Sequence, residues 1–337
     1  MINFQYARAS DVADAVRMMV ADPTAKFVAG GTNLIDLMKE DVERPSRLID
    51  ISRLPLNSVE ETADGGLRIG ALVPNSDLAY HPLVAQRYPL LASAILAGAS
   101  QQLRNMASTG GNLLQRTRCA YFYDTATPCN KREPGSGCSA RNGLNRMHAI
   151  LGTSESCIAT HPSDMCVALA ALDAKVHVAG SAGERAMAFT DFHRLPGTTP
   201  QHDTNLQPDE IVTAVELPAQ GFAKNYTYLK IRDRLSYAFA LVSVAVALEL
   251  DGDTIKQARL ALGGVAHKPW RAGAEAGLRG QTANRATFAH AADLVLRDAK
   301  GLAHNAFKIE LARKVIVRAL TQAARGTPQS QSNKKIR

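Results

Sequence analysis

Four of the five cysteines in this 337-residue chain fall within one stretch, Cys119, Cys129, Cys138 and Cys157, with the spacing C-x9-C-x8-C-x18-C. Thiols gathered this closely in sequence suit metal binding or disulfide formation. Two disulfides require an oxidising compartment and would be unusual in one short segment of a large chain. Structural zinc favours C-x2-C pairs, which are absent, whereas an iron–sulfur core is large enough to be reached from long intervening loops. The stretch is also basic. Between Arg116 and His148 lie Arg116, Arg118, Lys131, Arg132, Arg141 and Arg146 against Asp124 and Glu133, so half of the net charge of +8 sits here. Positive surroundings would offset a 4Fe-4S core bound by four thiolates, which carries about −2 at rest. On the residues alone, cluster and zinc both stay open. His148 and His161 are read as bystanders, since four cysteines suffice, and Cys166 as a small buried residue on a helix.

A second chemistry resides in two glycine pairs, Ala29-Gly30-Gly31-Thr32-Asn33 and Ser108-Thr109-Gly110-Gly111-Asn112, each expected after an apolar strand. Without Cβ atoms, successive backbone N–H groups can face one way and admit a pyrophosphate closely. A tight strand–helix turn is the plainer reading of either pair. Neither G-x-G-x-x-G nor G-x-x-x-x-G-K-[ST] occurs, so the usual dinucleotide and P-loop signatures are missing.

The elements that must position these loops divide the chain into three. Residues 1–55 read as a compact α/β unit: a helix over Asp11 to Val20 with Ser10 as its cap, a strand at Lys26 to Ala29 running into the first glycine pair, a helix through Leu34, Leu37 and Met38, and a strand from Arg47 to Ile51. From 56 to 222, short strands such as Leu67 to Val73 and Lys175 to Val178 alternate with helices at Pro89 to Gly98 and Ser163 to Leu172. From 223 to 325, three strand-like runs (Tyr226 to Ile231, Ala238 to Leu250, Ala258 to Leu262) precede helices over 274–324. This order suggests an α+β fold. Residues 326–337 read as a flexible tail. The longest apolar run, Tyr237 to Leu248, is too short to span a bilayer, and no secretory signal opens the chain. Aromatic residues are only 5%, which argues against base stacking and nucleic-acid binding.

The runs KFVAGGTNLIDLMK (26–39), ASTGGNLL (107–114), YLKIRDRLSYAFALVSVAVAL (228–248) and LALGGVAHKPWR (260–271) resemble the FAD-binding medium subunit of molybdenum hydroxylases, the xanthine dehydrogenase family, over nearly the whole chain. The resemblance implies a two-subdomain FAD-binding fold of the PCMH/vanillyl-alcohol-oxidase type over 1–222, with subdomains 1–55 and 56–222. It further implies a C-terminal domain over 223–325 of the CO dehydrogenase flavoprotein type, a small antiparallel sheet with helices. Lys26, Phe27, Val28, Ala29, Gly30, Gly31, Thr32, Asn33 and Leu34 would then wrap the FAD pyrophosphate, and Ser108, Thr109, Gly110, Gly111 and Asn112 would approach from the other side. The family's flavin-contacting aspartate falls at Asp164, an apolar contact at Val212, and a lysine near the flavin at Lys230. Family members join GGNL directly to a segment like ATHPSD (159–164); here an insert at 116–157 interrupts them. Its text is similar to the FAD/4Fe-4S subunit of periplasmic aldehyde oxidoreductases, which implies one 4Fe-4S cluster on Cys119, Cys129, Cys138 and Cys157.

The resemblance thus implies an electron-transfer part with no catalytic acid–base group of its own. It would work in a heterotrimer with a large molybdenum-cofactor subunit and a small subunit carrying 2Fe-2S clusters. The complex would oxidise aldehydes, aromatic ones foremost, to carboxylic acids and pass electrons through the 2Fe-2S clusters to FAD and an external acceptor. That acceptor could be an acidic redox protein drawn to an exposed part of the basic insert. The resemblance also implies a periplasmic location by co-export on a partner's twin-arginine signal, with the cytoplasm as the alternative. The other readings are the flavin subunit of a 4-hydroxybenzoyl-CoA reductase-like enzyme and, in another class, a basic zinc-binding interaction module.

Overall fold

The computed structural model describes residues 1–271 and 273–331. The first unit holds β1 (Gln5–Arg8), α1 (Val12–Ala21), β2 (Lys26–Val28), α2 (Leu34–Lys39) and β3 (Arg47–Asp50), with the strands in a parallel sheet of order β1-β3-β2. Ala15, Val16 and Met19 recur at helical spacing and bury one face of α1. The cap is Asp11 rather than the expected Ser10. The Asp11 carboxylate accepts from the Asp14 N–H at 2.7 Å, and its charge also suits a helix N-terminus, while Ser10 turns to the Asp14 side chain.

The second unit contains β4 (Val59–Glu61), β5 (Leu67–Gly70), α3 (Asn75–Tyr80), α4 (Pro82–Arg87), α5 (Pro89–Ala97), α6 (Gln101–Met106), α7 (Thr109–Leu113), α8 (Ala120–Tyr123), α9 (Asp164–Ala171), β6 (Lys175–Gly180), β7 (Gly183–Ala188), α10 (Phe189–Phe192) and β8 (Ile211–Leu217). Its sheet is antiparallel, in the order β4-β5-β8-β6-β7. Every residue of α9 is buried, as expected of a helix that is apolar all round. Its first residue, Asp164, is the exception in kind, and Ser163 caps it by accepting from the Cys166 N–H at 3.0 Å.

The third unit begins with the antiparallel sheet β9 (Asn225–Ile231), β10 (Val242–Asp251) and β11 (Thr254–Gly263), with β10 in the middle. A 3-10 turn (Ala274–Gly277), α11 (Arg285–Leu296) and α12 (Phe307–Ala324) follow. Side chains of β10 alternate between two cores. Val242, Val244, Val246 and Leu248 pack with α11 and α12, whereas Ala245 and Ala247 face the core shared with α5 and α9. The small residues on that second face bring the sheet close to α9: a Cβ on Gly263 would lie 2.6 Å from Val167 Cγ2. Thus the C-terminal domain packs directly behind the helix that carries Asp164. Of the expected tail, 326–331 folds back on β9, with the Gln329 N–H donating to Thr227 Oγ1 at 3.0 Å and Gln331 to the Tyr228 carbonyl at 3.1 Å. Residues 332–337 lie outside the described residues.

Candidate functional site: a two-loop cleft beside a four-cysteine pocket

The first glycine pair connects β2 to α2. Gly31 has φ +71°, a left-handed conformation that favours glycine. Gly30 serves close packing: a Cβ there would lie 1.8 Å from the Met106 carbonyl oxygen, so this loop rests on the turn that leads into the second pair. Among the described residues, no acceptor meets the N–H groups of Gly31, Thr32 or Asn33. Asn33 Nδ2 is buried without a partner, while its Oδ1 accepts from the Arg116 N–H at 2.8 Å. A run of unpaired donors at the end of a strand is an anion cradle.

The second pair differs from the expectation. It follows helix α6 rather than a strand, and it lies inside the short helix α7, because Ser108 accepts from the Gly111 N–H at 3.2 Å and so starts a helical turn. Thr109 and Gly110 are tied to β5 and the residues after it: Thr109 N–H donates to Val73 O at 2.9 Å and Gly110 N–H to Ala71 O at 2.7 Å. These two residues and Ser108 are buried framework.

Between the loops lies a cleft of about 660 Å³ lined by Thr32, Asn33, Gly111, Asn112, Asp164 and Lys230, with Tyr237 and Phe239 at one side. That size falls within the range of about 300–1,000 Å³ for ligand pockets. Of the first expected run, Lys26 is an exposed strand residue 3.9 Å from Glu43. Phe27 and Ala29 pack on the small N-terminal core, Val28 lies in β2, and Leu34 opens α2; none of these lines the cleft. Val212 does not line it either. It sits in β8, the middle strand of the five-stranded sheet, packed in the main core.

Asp164 and Lys230 form a buried ion pair at 2.8 Å on the cleft wall. Lys230 also donates to the Ala97 carbonyl at 3.2 Å, and Tyr228 OH donates to Asp164 Oδ1 at 2.6 Å while contacting Ser243 Oγ at 3.0 Å. Burial, then the adjacent Asp164 carboxylate, pushes the Tyr228 phenol well up, so it stays a donor. Tyr228 is a site residue that motif reading missed; the period-two spacing to Lys230 on β9 was the available signal. Ala99 and Tyr237, both on the cleft, hold φ of 51° and 50°, a conformation that costs an L-residue about 1–2 kcal/mol and that is concentrated at ligand sites.

In the insert, α8 and a set of turns bring all four cysteines to one small pocket, with Thr117, Phe122 and Lys131 also in its lining. Cys129 and Cys138 face each other across an isolated antiparallel bridge. All are free thiols. Burial first, then the neighbouring thiols, pushes Cys119 up to about 12; burial likewise pushes Cys157 up to about 11. Only a bound metal core would make them thiolates at neutral pH. No three of the four sulfurs lie within 4.8 Å of one another. Tetrahedral zinc, with Zn–S of about 2.3 Å, needs sulfurs about 3.8 Å apart, so these thiols would have to draw together to hold one.

Most basic residues of the insert are engaged in ion pairs or carbonyl contacts, and Lys131 and Arg116 point inward. Lys131, with its side chain 1% exposed, reaches Asp203 at 2.5 Å, the Pro200 carbonyl at 2.7 Å and His267 Nε2 at 2.7 Å. Arg116 joins Asp203 at 2.9 Å and also pairs with Glu43. Although burial opposes it, Lys131 and Arg116 hold the Asp203 carboxyl well below its usual range. Arg132 donates to the carbonyls of Tyr121 and Phe122, Arg118 pairs with Asp36, Arg141 with Glu155 and Arg146 with Asp233. The expected exposed patch around Lys131 and Arg132, offered to an acidic partner, is therefore not formed. The charge instead pairs with carboxylates, part-buried at Asp203 and Glu43 and exposed at Asp36, Glu155 and Asp233, and satisfies backbone carbonyls.

A third group, His161, Cys166 and His193, offers donor atoms within 4.8 Å of one another in the interior. Its hydrogen bonds argue against a metal. His161 Nδ1 accepts from the Ser163 N–H at 3.4 Å, so Nε2 carries the proton. His193 Nε2 donates to the Leu113 carbonyl at 2.8 Å, and burial keeps the Cys166 thiol protonated, pushed up to about 12. Of the two rings, only His193 Nδ1 presents a free lone pair. Cys166 thus agrees with its reading as a buried residue.

Comparison with known proteins bears on this geometry. Residues 2–220 match the family described as FAD binding domain in molybdopterin dehydrogenase, and 226–323 match the CO dehydrogenase flavoprotein C-terminal domain. The chain is 51% identical over 321 residues to the aldehyde oxidoreductase FAD-binding subunit PaoB of Escherichia coli, covering 95% of this chain and 98% of that one. It is 30% identical to the glyceraldehyde dehydrogenase medium chain of Sulfolobus acidocaldarius, over 80% of this chain and 78% of the other. Among solved structures, it superposes on a chain of the carbon monoxide dehydrogenase of Hydrogenophaga pseudoflava with a TM-score of 0.76 and 26% identity, covering 97% and 99% of the two chains.

Proposed function

Since the chain belongs to the family of FAD-binding medium subunits of molybdenum hydroxylases, we propose that it is the FAD- and 4Fe-4S-bearing electron-transfer subunit of a molybdenum-dependent aldehyde oxidoreductase. The observation that carries this reading is the convergence of four cysteines on one pocket next to the two-loop cleft. A cavity of about 120 Å³ lies between the two and is lined by Cys119 and His148 from the insert and by Ser163 and Asp164 from the cleft wall. FAD, when bound, supplies the electron-accepting ring and the cluster a one-electron relay. The protein's part is to hold them: the unpaired N–H groups of 31–33 and Asn33 Nδ2 would donate to the pyrophosphate, Gly111 would leave room for it, and the Asp164–Lys230 pair would give the cleft a charged wall. Cys119, Cys129, Cys138 and Cys157 ligate the cluster.

The partners in this reading are a large molybdenum-cofactor subunit, which oxidises aldehydes (aromatic ones included) to carboxylic acids, and a small 2Fe-2S subunit. An external acceptor takes the electrons. Export follows a partner's twin-arginine signal to the periplasm, which cell fractionation tests directly. Among the described residues no helix is long and apolar enough to cross a membrane. The decisive experiment is cofactor analysis of the purified complex. One FAD and about four irons per copy of this chain beyond those of the small subunit are expected; zinc near one per chain, with no added iron in anaerobic preparations, overturns the cluster. If the complex reduces acyl-CoA thioesters and leaves aldehydes untouched, the aldehyde assignment falls while the cofactor assignment stands.

A further inference from the structure

The four thiols of the pocket are not equivalent. Cys119 Sγ lies 3.1 Å from His148 Nε2, whereas Cys157 Sγ meets only a backbone N–H, that of Ala159 at 3.4 Å. Among the described residues no side chain donates to Cys129 or Cys138. His148 is itself buried, and its other ring nitrogen has no partner in the chain. A ring nitrogen that faces a thiolate must carry the proton, so Nε2–H is the donor.

The backbone around His148 is fixed from the C-terminal domain. Lys308, fully buried at the start of α12, donates to the His148 carbonyl at 2.8 Å and to the Gly264 carbonyl at 2.5 Å. Asn305 Nδ2 donates to the carbonyls of His148 and Ala149 at 3.2 and 3.1 Å. Asn145, also fully buried, holds the preceding turn: its Nδ2 reaches the Ala140 carbonyl and its Oδ1 accepts from the His304 N–H. No salt bridge engages Lys308 among the described residues. An ammonium capped only by carbonyls is costly in an interior, so Lys308 is retained for the carbonyls it holds.

We propose that His148 is a positioning residue that sets the reduction potential of the cluster by donating one Nε2–H···Sγ hydrogen bond to Cys119, held in place by Lys308 and Asn305. This rests on the iron–sulfur reading above. Reduction adds a negative charge that spreads onto the ligating sulfurs, and a donor to one of them stabilises the reduced state more than the oxidised one. Losing the donor therefore lowers the potential without removing a ligand.

The test is an EPR-monitored redox titration of the assembled complex, wild type against His148→Phe and His148→Gln, with iron and flavin measured on each sample. In His148→Phe the reduced-to-oxidised ratio at the wild-type midpoint is expected to fall about tenfold, a shift of about 59 mV for one electron, with iron per flavin unchanged. His148→Gln, which keeps an N–H donor, should recover at least half of that shift. A full iron complement with an unmoved midpoint in His148→Phe overturns the proposal, as does a Gln variant that shifts as far as Phe. Should His148→Phe not assemble, wild-type complex labelled with nitrogen-15 histidine carries the test. A histidine nitrogen coupled to the reduced cluster in pulsed EPR supports the proposal, and no coupling overturns it. Wild type without cluster iron would overturn the underlying reading, a result distinct from all of these.

Discussion

Substituting alanine for Gly30 separates the role of the two-loop contact from that of the cleft surface. The new Cβ would start 1.8 Å from the Met106 carbonyl oxygen, whereas real Cβ contacts essentially never fall under 3.0 Å. The atom it meets is backbone, held at the end of α6, where the Ala107 N–H donates to Leu103 O at 2.8 Å, so the loops must part by about an ångström. Overpacking of this kind costs about 1–3 kcal/mol, and with about 2–4 °C per kcal/mol for a large domain the melting midpoint should fall by several degrees. The larger effect should be on flavin, because the loop that moves carries the unpaired N–H groups of 31–33. Gly111→Ala is the contrasting case. Its Cβ would meet only Ser108 Oγ, at 2.8 Å, a side chain that can turn aside at the cost of a cap worth about 1 kcal/mol. This variant should melt near wild type yet hold less flavin, since Gly111 lines the cleft. Flavin released on acid treatment, per mole of protein, and thermal melting of the apo form are the two readings. If Gly30→Ala retains both full flavin and the wild-type midpoint, the close contact between the loops is not what shapes the site.

Serine at Cys119, Cys129, Cys138 or Cys157 should remove cluster iron or convert the cluster, whereas Cys166→Ala should leave iron unchanged; iron per flavin and EPR decide. Lys131→Gln removes a buried ammonium from the part-buried Asp203, which Arg116 still holds, and should lower stability, lowering turnover with a protein acceptor and with a neutral dye alike; a selective loss with the protein acceptor would revive steering by this residue. His193 is buried, which pushes its imidazole down to about 4 from an ordinary value of about 6.5. The unfolded chain then binds the extra proton first as pH falls below about 6.5, so the part of the stability that His193 carries should decline between pH 6.5 and 4 by about 3 kcal/mol and level off below. Denaturation midpoints of wild type against His193→Gln across that range test this, and equal slopes in the two refute it.

The features legible in the sequence are those whose chemistry is local. The glycine pair after a strand, four cysteines within one insert, and the helix that opens at Asp164 are short patterns, and each lies where the pattern implies. The features that escape it depend on contacts far along the chain. Lys131 counts as a charge in the sequence, yet it is buried because Asp203, seventy-two residues later, lies 2.5 Å away. Val212 carries an apolar side chain that suits a flavin contact or a core equally, and only the strand order of the sheet decides between them. The second glycine pair has the composition of a strand-to-helix turn, but Ser108 capping Gly111 converts the same residues into a helical turn, a competition between two local hydrogen-bond patterns that composition does not resolve. Tyr228 shares a face of β9 with Lys230, but its hydrogen bond to Asp164 follows only from the packing of α9 on the C-terminal sheet.

β10, with branched side chains on one face and alanines on the other, makes the C-terminal segment a shared wall rather than an attached module. A chain cut near residue 223 would leave the N-terminal piece without the backing for α9 and the C-terminal piece with an uncovered alanine face. Neither fragment is then suited to life as a free-standing domain, although the boundary looks like a natural break in the sequence. Co-expressed fragments should instead find each other and reassemble. The same wall limits how such subunits can be recombined: a C-terminal half taken from a relative would have to match the knobs of α5 and α9 as well as its own helices, so the two halves are expected to vary together.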